Sequence, residues 1–212
     1  DRQPSLPTTR SSTQPGQMIT IHTNPTINRP QLARLFADGF IDDPVWTAIM
    51  PTRRLRRHLI QAEINAGLRH VGTGRALDVA YLDDRVAGAL LLTPPEDGAG
   101  HQPSLMERAA AGVEQFVPAL RRGIKHQEAV DQYQPEEPHW YLTDIVVSPD
   151  MQGRGVGSAL LEHRLGLVGD DPIFLEATTA GSARLYQRHG FHPLATVSVL
   201  PRTESVVMLR KS

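Results

Sequence analysis

The fold of this chain is decided by Val147-Ser148-Pro149-Asp150-Met151-Gln152-Gly153-Arg154-Gly155-Val156-Gly157. The apolar run at residues 140–147 is typical of a strand, and helical spacing of apolar residues begins at about Gly155. Glycines let backbone N–H groups approach a ligand, and the start of a helix adds positive potential. The stretch therefore predicts a strand, an anion-binding turn and a helix in direct succession.

The spacing of the glycines limits which anion this turn can bind. A Walker P-loop needs GxxxxGK[ST], a string that the chain lacks. A dinucleotide fingerprint needs GxGxxG, and Ser158 stands where its third glycine should be, although Glu176 could imitate the ribose-binding acid. Too little chain follows Glu176 for the further units of such a fold. A glycine-rich turn with a purely structural role is the remaining alternative at this stage.

The rest of the chain gives an alternating pattern of strands and helices. The predicted elements are a strand from Met18, a helix capped by Asn28, a helix from Thr52, a hairpin of residues 76–82 and 86–93, a strand at 140–147, a helix at 155–167, a strand at 172–177, a helix capped by Thr179 that ends at His189-Gly190, and a hairpin of residues 191–200 and 205–210. In the helix from Thr52 the apolar face is expected to hold Leu55, Leu59, Ile60, Ile64 and Leu68. Most of Arg53, Arg54, Arg56 and Arg57 should then lie on the opposite, solvated face.

Two segments fall outside this regular order. Residues 1–17 are rich in Pro, Ser, Thr and Gln and are predicted to be a flexible tail or leader before a domain at 18–212. Residues 96–138 form a long interruption, in which apolar positions from Leu105 to Ile124 recur at helical spacing. We therefore expect an insertion helix at about 103–130.

The composition excludes several classes of protein. The 22 Lys and Arg residues nearly balance the 23 Asp and Glu residues, for a formal net charge of −1, so no basic field attracts nucleic acid or an anionic membrane. The chain has no cysteine, which fits a cytoplasmic protein and excludes disulfides and a thiol nucleophile. Its apolar runs are shorter than the ~20 residues of a membrane span. His101, His126 and His139 lack the spacing of metal ligands, so no metal is expected.

Residues 147–157 resemble the coenzyme A signature of the GNAT superfamily of N-acetyltransferases. That signature is Gln or Arg, two residues, Gly, one residue, then Gly or Ala, and Gln152, Gly155 and Gly157 match it. Downstream, Leu185-Tyr186-Gln187-Arg188-His189-Gly190-Phe191 is similar to the family's Leu-Tyr-x-Lys/Arg-x-Gly-Phe. One departure is Thr179, at a position where the family often has Asn.

A closer resemblance is to members of the puromycin acetyltransferase type. His139-Trp140-Tyr141-Leu142 looks like their entry to the central strand, and Leu175-Glu176 resembles a pair that they share.

The resemblance implies an α/β (α+β) GNAT fold, in which a mixed central β-sheet has helices on both faces and splayed central strands bind acetyl-CoA. The pantetheine arm would pair with the backbone of residues 145–147, and a backbone N–H, most simply that of Val147, would face the thioester carbonyl. The implied coenzyme-contact residues are Ile145, Val146, Val147, Gln152, Gly153, Arg154, Gly155, Val156, Gly157, Ser158, Thr179, Ser182 and Tyr186.

The resemblance also gives candidates for proton transfer. Tyr186 occupies the position that protonates the leaving thiolate in the family, although a tyrosine there also fits a core. Asp144 and Glu176 are the candidate bases, and strict alternation along the strand puts Asp144 on the face opposite Tyr141 and Thr143. Asp42 and Asp43 lie on a loop where acceptors bind in the family. A water relay, or an amine that binds already neutral, would need no such base.

The expected function is transfer of the acetyl group from acetyl-CoA to a primary amine, with a small molecule as acceptor. The insertion helix and the Asp42-Asp43 loop are expected to wall the acceptor pocket; the helix could instead only cover the core or form a dimer contact. A protein lysine or N-terminus as acceptor, a non-catalytic acyl-CoA-binding or sensing module, and a homodimer stay open as alternatives. A Rossmann-type nucleotide protein is disfavoured by the glycine spacing.

Overall fold

The structure is a computed structural model that describes residues 9–14, 17–26, 28–95 and 118–211. The strands in these ranges are β1 (Thr9–Gln14), β2 (Gln17–Thr23), β3 (Ala76–Leu82), β4 (Arg85–Thr93), β5 (Trp140–Val147), β6 (Ile173–Ala177), β7 (His192–Val197) and β8 (Ser205–Arg210). The α-helices in these ranges are α1 (Arg29–Phe40), α2 (Pro44–Ile49), α3 (Arg53–Gly67), α4 (Pro118–Asp131), α5 (Val156–Val168) and α6 (Ala180–Arg188).

The strands form one sheet in the order β1-β2-β3-β4-β5-β6-β8-β7. Neighbouring strands are antiparallel except for β5 and β6, which are parallel and joined by α5. A parallel pair needs a crossover, and the glycine turn with its helix supplies it. The predicted mixed sheet is confirmed.

Helices cover both faces of the sheet, as predicted. α5 packs on β2, β3, β4 and β5, and its Leu160 lies in one buried cluster with Leu90 of β4. α1 packs against α3 and on β4 and β5, where Phe36 and Leu91 belong to a second cluster. Since Leu90 and Leu91 are consecutive residues of one strand, the two clusters lie on opposite faces of the sheet.

Local signals in the sequence account for several boundaries. The side chain of Asn28 accepts a hydrogen bond from the backbone N–H of Gln31 at 3.1 Å and caps α1. Asp83 and Asp84 both have positive φ, 48° and 63°, as a two-residue turn between twisted strands requires. Gly190 has a φ of +84° just after α6, where the sequence predicts a left-handed end.

Two elements are not in the predicted order. β1 pairs antiparallel with β2 at the edge of the sheet, inside the stretch for which the composition predicts a flexible tail. The helix α2 replaces the simple break expected at Asp42-Asp43-Pro44, because Asp43 accepts hydrogen bonds from the N–H groups of Val45 and Trp46 and starts a new helix.

The prediction for the arginine face of α3 is wrong at Arg56. Its guanidinium is buried and donates to the carbonyls of Ile41, at 2.7 Å, and Pro51, at 3.1 Å. Ile41 is the C-cap of α1, so Arg56 pairs a carbonyl that the helix itself leaves open. Leu55, expected on the apolar face, is instead 53% exposed.

Part of the predicted insertion helix lies within the described residues. α4 runs from Pro118 to Asp131 and contacts α2 and β7. The N-terminal half of the predicted helix, from Leu105, falls in 96–117, outside the described residues.

A buried charge cluster joins α5 to the sheet. The guanidinium of Arg164 donates two hydrogen bonds to the Asp78 carboxylate, at 2.7 and 2.6 Å, and Thr23 donates a third at 2.7 Å. Burial alone would raise the pKa of Asp78, but hydrogen bonds from His163, Arg164 and Thr23 and the charge of Arg164 together lower it. Asp78 is therefore a charged residue in the core that depends on its partners.

Replacing Arg164 with Met should lower the free energy of unfolding by about 3–5 kcal/mol, because it leaves the Asp78 charge buried and uncompensated. Urea denaturation checks this. The control is Arg53→Met, which breaks the ion pair between Arg53 and Asp42. The side chains of these two residues are 62% and 75% exposed. The control should change stability little, since exposed pairs contribute little. Equal effects of the two variants would contradict the prediction.

Candidate active site

The glycine turn has the backbone that an anion site needs. Gly153 and Gly155 have φ of +76° and +81°, a region that favours glycine. Gly155 is the N-cap of α5, and no side chain caps this helix within the described residues. The first N–H groups of α5 therefore point out of the helix toward the turn, as a phosphate-binding helix start requires.

The strands β5 and β6 separate in front of this turn. They pair only from Trp140 to Leu142 on β5 and from Ile173 to Leu175 on β6. β5 continues to Val147, but its backbone toward β6 has no strand partner beyond Leu142 in the described part of the chain. The gap exposes N–H and C=O groups that an extended ligand can pair with, which is the splay implied by the resemblance.

A β-bulge overturns the predicted orientation of Asp144. On β4, Leu92 pairs with Leu142 and Leu91 with Asp144, so Thr143 is an extra residue on β5. The extra residue shifts the alternation by one position. Asp144 therefore lies on the same face as Tyr141, which pairs with Thr93, and not on the opposite face as strict alternation predicts.

A cavity of about 1000 Å³ lies at this gap. It is bordered by the glycine turn and the starts of α5 and α6, by β5 and the end of β6, and by α1, α2, α3 and α4. The side chains that carry chemistry along it are Asp42, Asp43, Glu63, Arg75, His126, Gln127, Tyr141, Asp144, Glu176, Tyr186 and Arg188. The glycine turn, which resembles a coenzyme A signature, and a set of acidic and basic side chains thus border the same cavity.

Glu176 is paired with a histidine from the insertion helix. Nε2 of His126 lies 2.7 Å from Oε1 of Glu176, and the two side chains are 6% and 15% exposed. Burial and the charge of Glu176 are the leading causes that raise the pKa of Tyr141. Glu176 therefore acts electrostatically on a neighbouring side chain of the cavity.

Asp43 is a buried carboxyl as well, and Asp144 is half-buried. Burial raises the pKa of Asp43, with a further rise from the charge of Glu176, against hydrogen bonds from Thr178 and α2 that lower it. Burial raises the pKa of Asp144 to about 6, although Arg75 and Thr143 oppose the shift. Both groups therefore have a greater tendency to hold a proton than a solvated aspartate.

Tyr186 lies between the core and the cavity. Its ring packs at 5.8 Å from that of Phe191 and is nearly buried, while the residue borders the cavity. Burial, and then the charges of Asp144, Asp43 and Glu176, raise the pKa of Tyr186. The phenol therefore stays protonated at neutral pH and is able to donate a proton.

The structure brings most of the predicted site residues together. All of the predicted coenzyme-contact residues border the cavity except Val146 and Arg154. The Val146 side chain packs in the buried cluster under α1, against Gly39, and Arg154 lies exposed on the turn. Thr179 accepts from the N–H of Ser182 at 3.0 Å and caps α6, as predicted.

Two side chains that border the cavity are not among the predicted site residues, His126 and Arg75. The sequence suggests His126 only as a metal ligand, and it does not single out Arg75. The guanidinium of Arg75 occupies the space that a side chain at Gly67 would fill, next to Asp144. The helical spacing around His126 could have placed it on the sheet-facing side of α4. No local signal points to Arg75.

The described residues lack two kinds of feature, a metal-binding cluster and a membrane-spanning helix. They contain no group of three or more His, Asp and Glu side chains arranged to hold a metal ion. None of the helices within them is long and apolar enough to cross a membrane.

Comparison with known families and structures agrees with this geometry. Residues 114–193 match the family model described as acetyltransferase (GNAT) domain. A histone acetyltransferase HPA2 and related acetyltransferase from Corynebacterium glutamicum is 24% identical, with a TM-score of 0.64 over 90% of this chain and 94% of that chain.

Two insect enzymes share the fold. Arylalkylamine N-acetyltransferase 2 from Aedes aegypti is 15% identical, with a TM-score of 0.65 over 91% of this chain and 98% of that chain. The polyamine N-acetyltransferase of Drosophila melanogaster is 18% identical, with a TM-score of 0.58 over 91% of this chain and all of that chain (100%). At these identities the structural likenesses establish the fold alone, and the family match concerns residues 114–193.

Replacing Arg75 with Gln should raise the pKa of Asp144 above its value of about 6, because it removes the positive charge that opposes the effect of burial. Carboxyl NMR titration measures this directly. The matched control is Arg85→Gln, which removes a charge that pairs with the exposed Asp150. A pKa of Asp144 that stays the same or falls in the Arg75 variant would contradict the assignment of this interaction.

Proposed function

Because the chain contains a GNAT N-acetyltransferase domain, we propose that it transfers the acetyl group of acetyl-CoA to the nitrogen of a small primary amine. The observation that carries this proposal is the single cavity, which runs from the glycine turn past the gap between β5 and β6 to Glu176. Proteins of the same fold include enzymes named for arylalkylamine and agmatine as acceptors. A bounded cavity suits such a molecule better than an extended protein tail.

In this proposal the coenzyme lies along the turn and the open edge of β5. The N–H groups at the start of α5, from Val156 to Ser158, bind the pyrophosphate, and Gln152 and Arg154 flank it. The start of α5 lies close to the second half of α6, since a side chain at Gly157 would come within 3.4 Å of Leu185. The pantetheine arm pairs with the backbone of Ile145 and Val147, where β6 has turned away.

The proposed reaction is direct attack of the amine on the thioester. The nitrogen forms a bond to the carbonyl carbon, and the carbon–sulfur bond breaks. Glu176 accepts the proton that the nitrogen loses, directly or through a water molecule, and Tyr186 donates a proton to the thiolate. The backbone N–H of Val147 stabilises the charge on the carbonyl oxygen. Glu176 then releases its proton to solvent and Tyr186 regains one, so both groups return to their starting states.

The choice of Glu176 as base over Asp144 follows from their surroundings. Glu176 lies at the end of β6 with a hydrogen-bond partner, His126, on one oxygen, which leaves the other oxygen for the substrate. Asp144 lies beside Arg75 on the α3 side of the cavity. Its raised pKa of about 6 would suit a base near neutral pH, so only its position makes it the weaker candidate. We therefore give Asp144 the secondary role of a charge that keeps Tyr186 protonated.

A thiol-release assay with acetyl-CoA and a panel of primary amines tests the function. The variant Gly155→Asp should weaken acetyl-CoA binding by about tenfold to a hundredfold in calorimetry, because it strains a positive φ and sets a negative charge at the pyrophosphate. Gly166→Asp adds the same charge near the other end of α5, at a position with open space, and is the control. Unchanged affinity in a folded Gly155 variant would reject the binding site.

The proton donor is tested by Tyr186→Phe. The variant should lower kcat by roughly 10²-fold or more and leave the acetyl-CoA Kd nearly unchanged, since only the transition state uses the phenol proton. The control is Tyr133→Phe, at an exposed tyrosine that does not border the cavity. Equal turnover of the Tyr186 variant and the wild type would reduce Tyr186 to a core residue packed on Phe191.

A further inference from the structure

The charges at one end of the cavity narrow the class of acceptor. We define the acceptor end as the part bordered by Asp43, Val45, Trp46, Ile49, His126 and Glu176. We infer that the acceptor is an amine without a carboxylate beside its amino group, and that Asp43 and Glu176 together exclude amino acids. This inference rests on the proposed function and deepens it.

Two carboxylates meet at the acceptor end. Oδ2 of Asp43 accepts a hydrogen bond at 2.5 Å from the hydroxyl of Thr178, which lies two residues after Glu176. Oδ1 of Asp43 caps α2. Burial is the leading cause that raises the pKa of Asp43, and the charge of Glu176 adds to the rise, against the hydrogen bonds from Thr178 and α2 that lower it. The two carboxyl groups therefore share one poorly solvated space, in which a third carboxylate would add to the same repulsion.

His126 contacts Glu176 through one ring nitrogen. Its Nε2 faces Glu176 at 2.7 Å, while its Nδ1 is buried with no hydrogen-bond partner in the described residues. Because Nε2 is already paired with Glu176 and Nδ1 is buried, neither ring nitrogen is available to bind the carboxylate of a ligand.

The nearby arginines of the described chain are engaged elsewhere. Arg122 donates from Nε and Nη2 to the carbonyl of Ile49, at 2.9 and 2.5 Å. Arg56 is bound to the carbonyls of Ile41 and Pro51. Arg75 faces Asp144 on the α3 side of the cavity. Within the ranges that the structure describes, the arginines that border the cavity are Arg75 and Arg188, and neither belongs to the acceptor end defined above.

The apolar walls of the acceptor end indicate what kind of body the amine carries. Val45, Trp46 and Ile49 of α2 are apolar and border the same space. An ammonium on an alkyl or aryl body gains from both the carboxylates and the walls. A carboxylate on the adjacent carbon would enter within reach of Asp43 and Glu176, and like charges brought together in such a site repel strongly.

Matched substrate pairs test this inference. Tyramine against tyrosine and agmatine against arginine differ only in the carboxylate, so the ratio of their kcat/KM values isolates its effect. We expect the decarboxylated member of each pair to be favoured by about tenfold or more. The amino group of the amino acid is the weaker base, so its larger neutral fraction alone would favour the opposite order.

The variant Asp43→Asn assigns the selectivity to a residue. Asparagine also caps helices well, so α2 should remain, and the preference for the decarboxylated member should fall severalfold. Asp38→Asn removes the same charge from α1, where the side chain is 49% exposed and does not border the cavity, and should leave the ratio unchanged. The wild-type ratio stands as a test by itself if the Asp43 variant does not fold.

The possible results distinguish failure of this inference from failure of the proposed function. Thiol release with a ratio near one, or with the amino acid preferred, overturns this inference and leaves the acetyltransferase proposal intact. An unchanged ratio in a folded Asp43 variant removes Asp43 from the selectivity. Failure to release thiol with any amine overturns the proposed function, and this inference falls with it.

Discussion

The site depends on the early end of pairing between β5 and β6. These are the only parallel neighbours in the described sheet, and they part after Leu142, where Thr143 adds a residue to β5. Continued pairing would have closed the backbone of residues 143–147 against β6 and filled the cavity. The same extra residue turns Asp144 to the face of Tyr141. The irregularity that rotates a carboxyl into the groove thus lies at the residue where the groove opens.

The electrostatics of the cavity follow from that opening. Carboxyls from three different parts of the chain, Asp43, Asp144 and Glu176, face one poorly solvated space, and each contributes to the raised pKa of Tyr186. Burial is the leading cause for every raised group in the cavity, so the charges modify a shift that the walls create. A phenol that stays protonated beside several carboxyl groups is a suitable arrangement for an enzyme that must remove one proton and deliver another.

The sequence predicts the features that residues close to each helix or strand boundary determine. The strand Trp140–Val147, the glycine N-cap of α5 and the Thr179 cap of α6 depend on residues within one turn of each boundary. Three features could not be obtained that way. Arg56 is buried because carbonyls at Ile41 and Pro51 need a donor, and the bulge at Thr143 is visible only in its register with β4. The edge strand β1 pairs with a neighbour that its own composition does not indicate.

One hydrogen bond joins the proposed acceptor wall to the proposed coenzyme site. Asp43 caps α2 with one carboxylate oxygen and accepts from Thr178 with the other, and Thr178 directly precedes the residue that caps α6. The helix that walls the acceptor end is therefore fixed to the helix start that borders the coenzyme end. These residues are 135 positions apart, and neither carries a local signal of the contact. A charge that the sequence can assign only to a loop is thus a structural link and, through its second role facing Glu176, part of the electrostatic environment of the site.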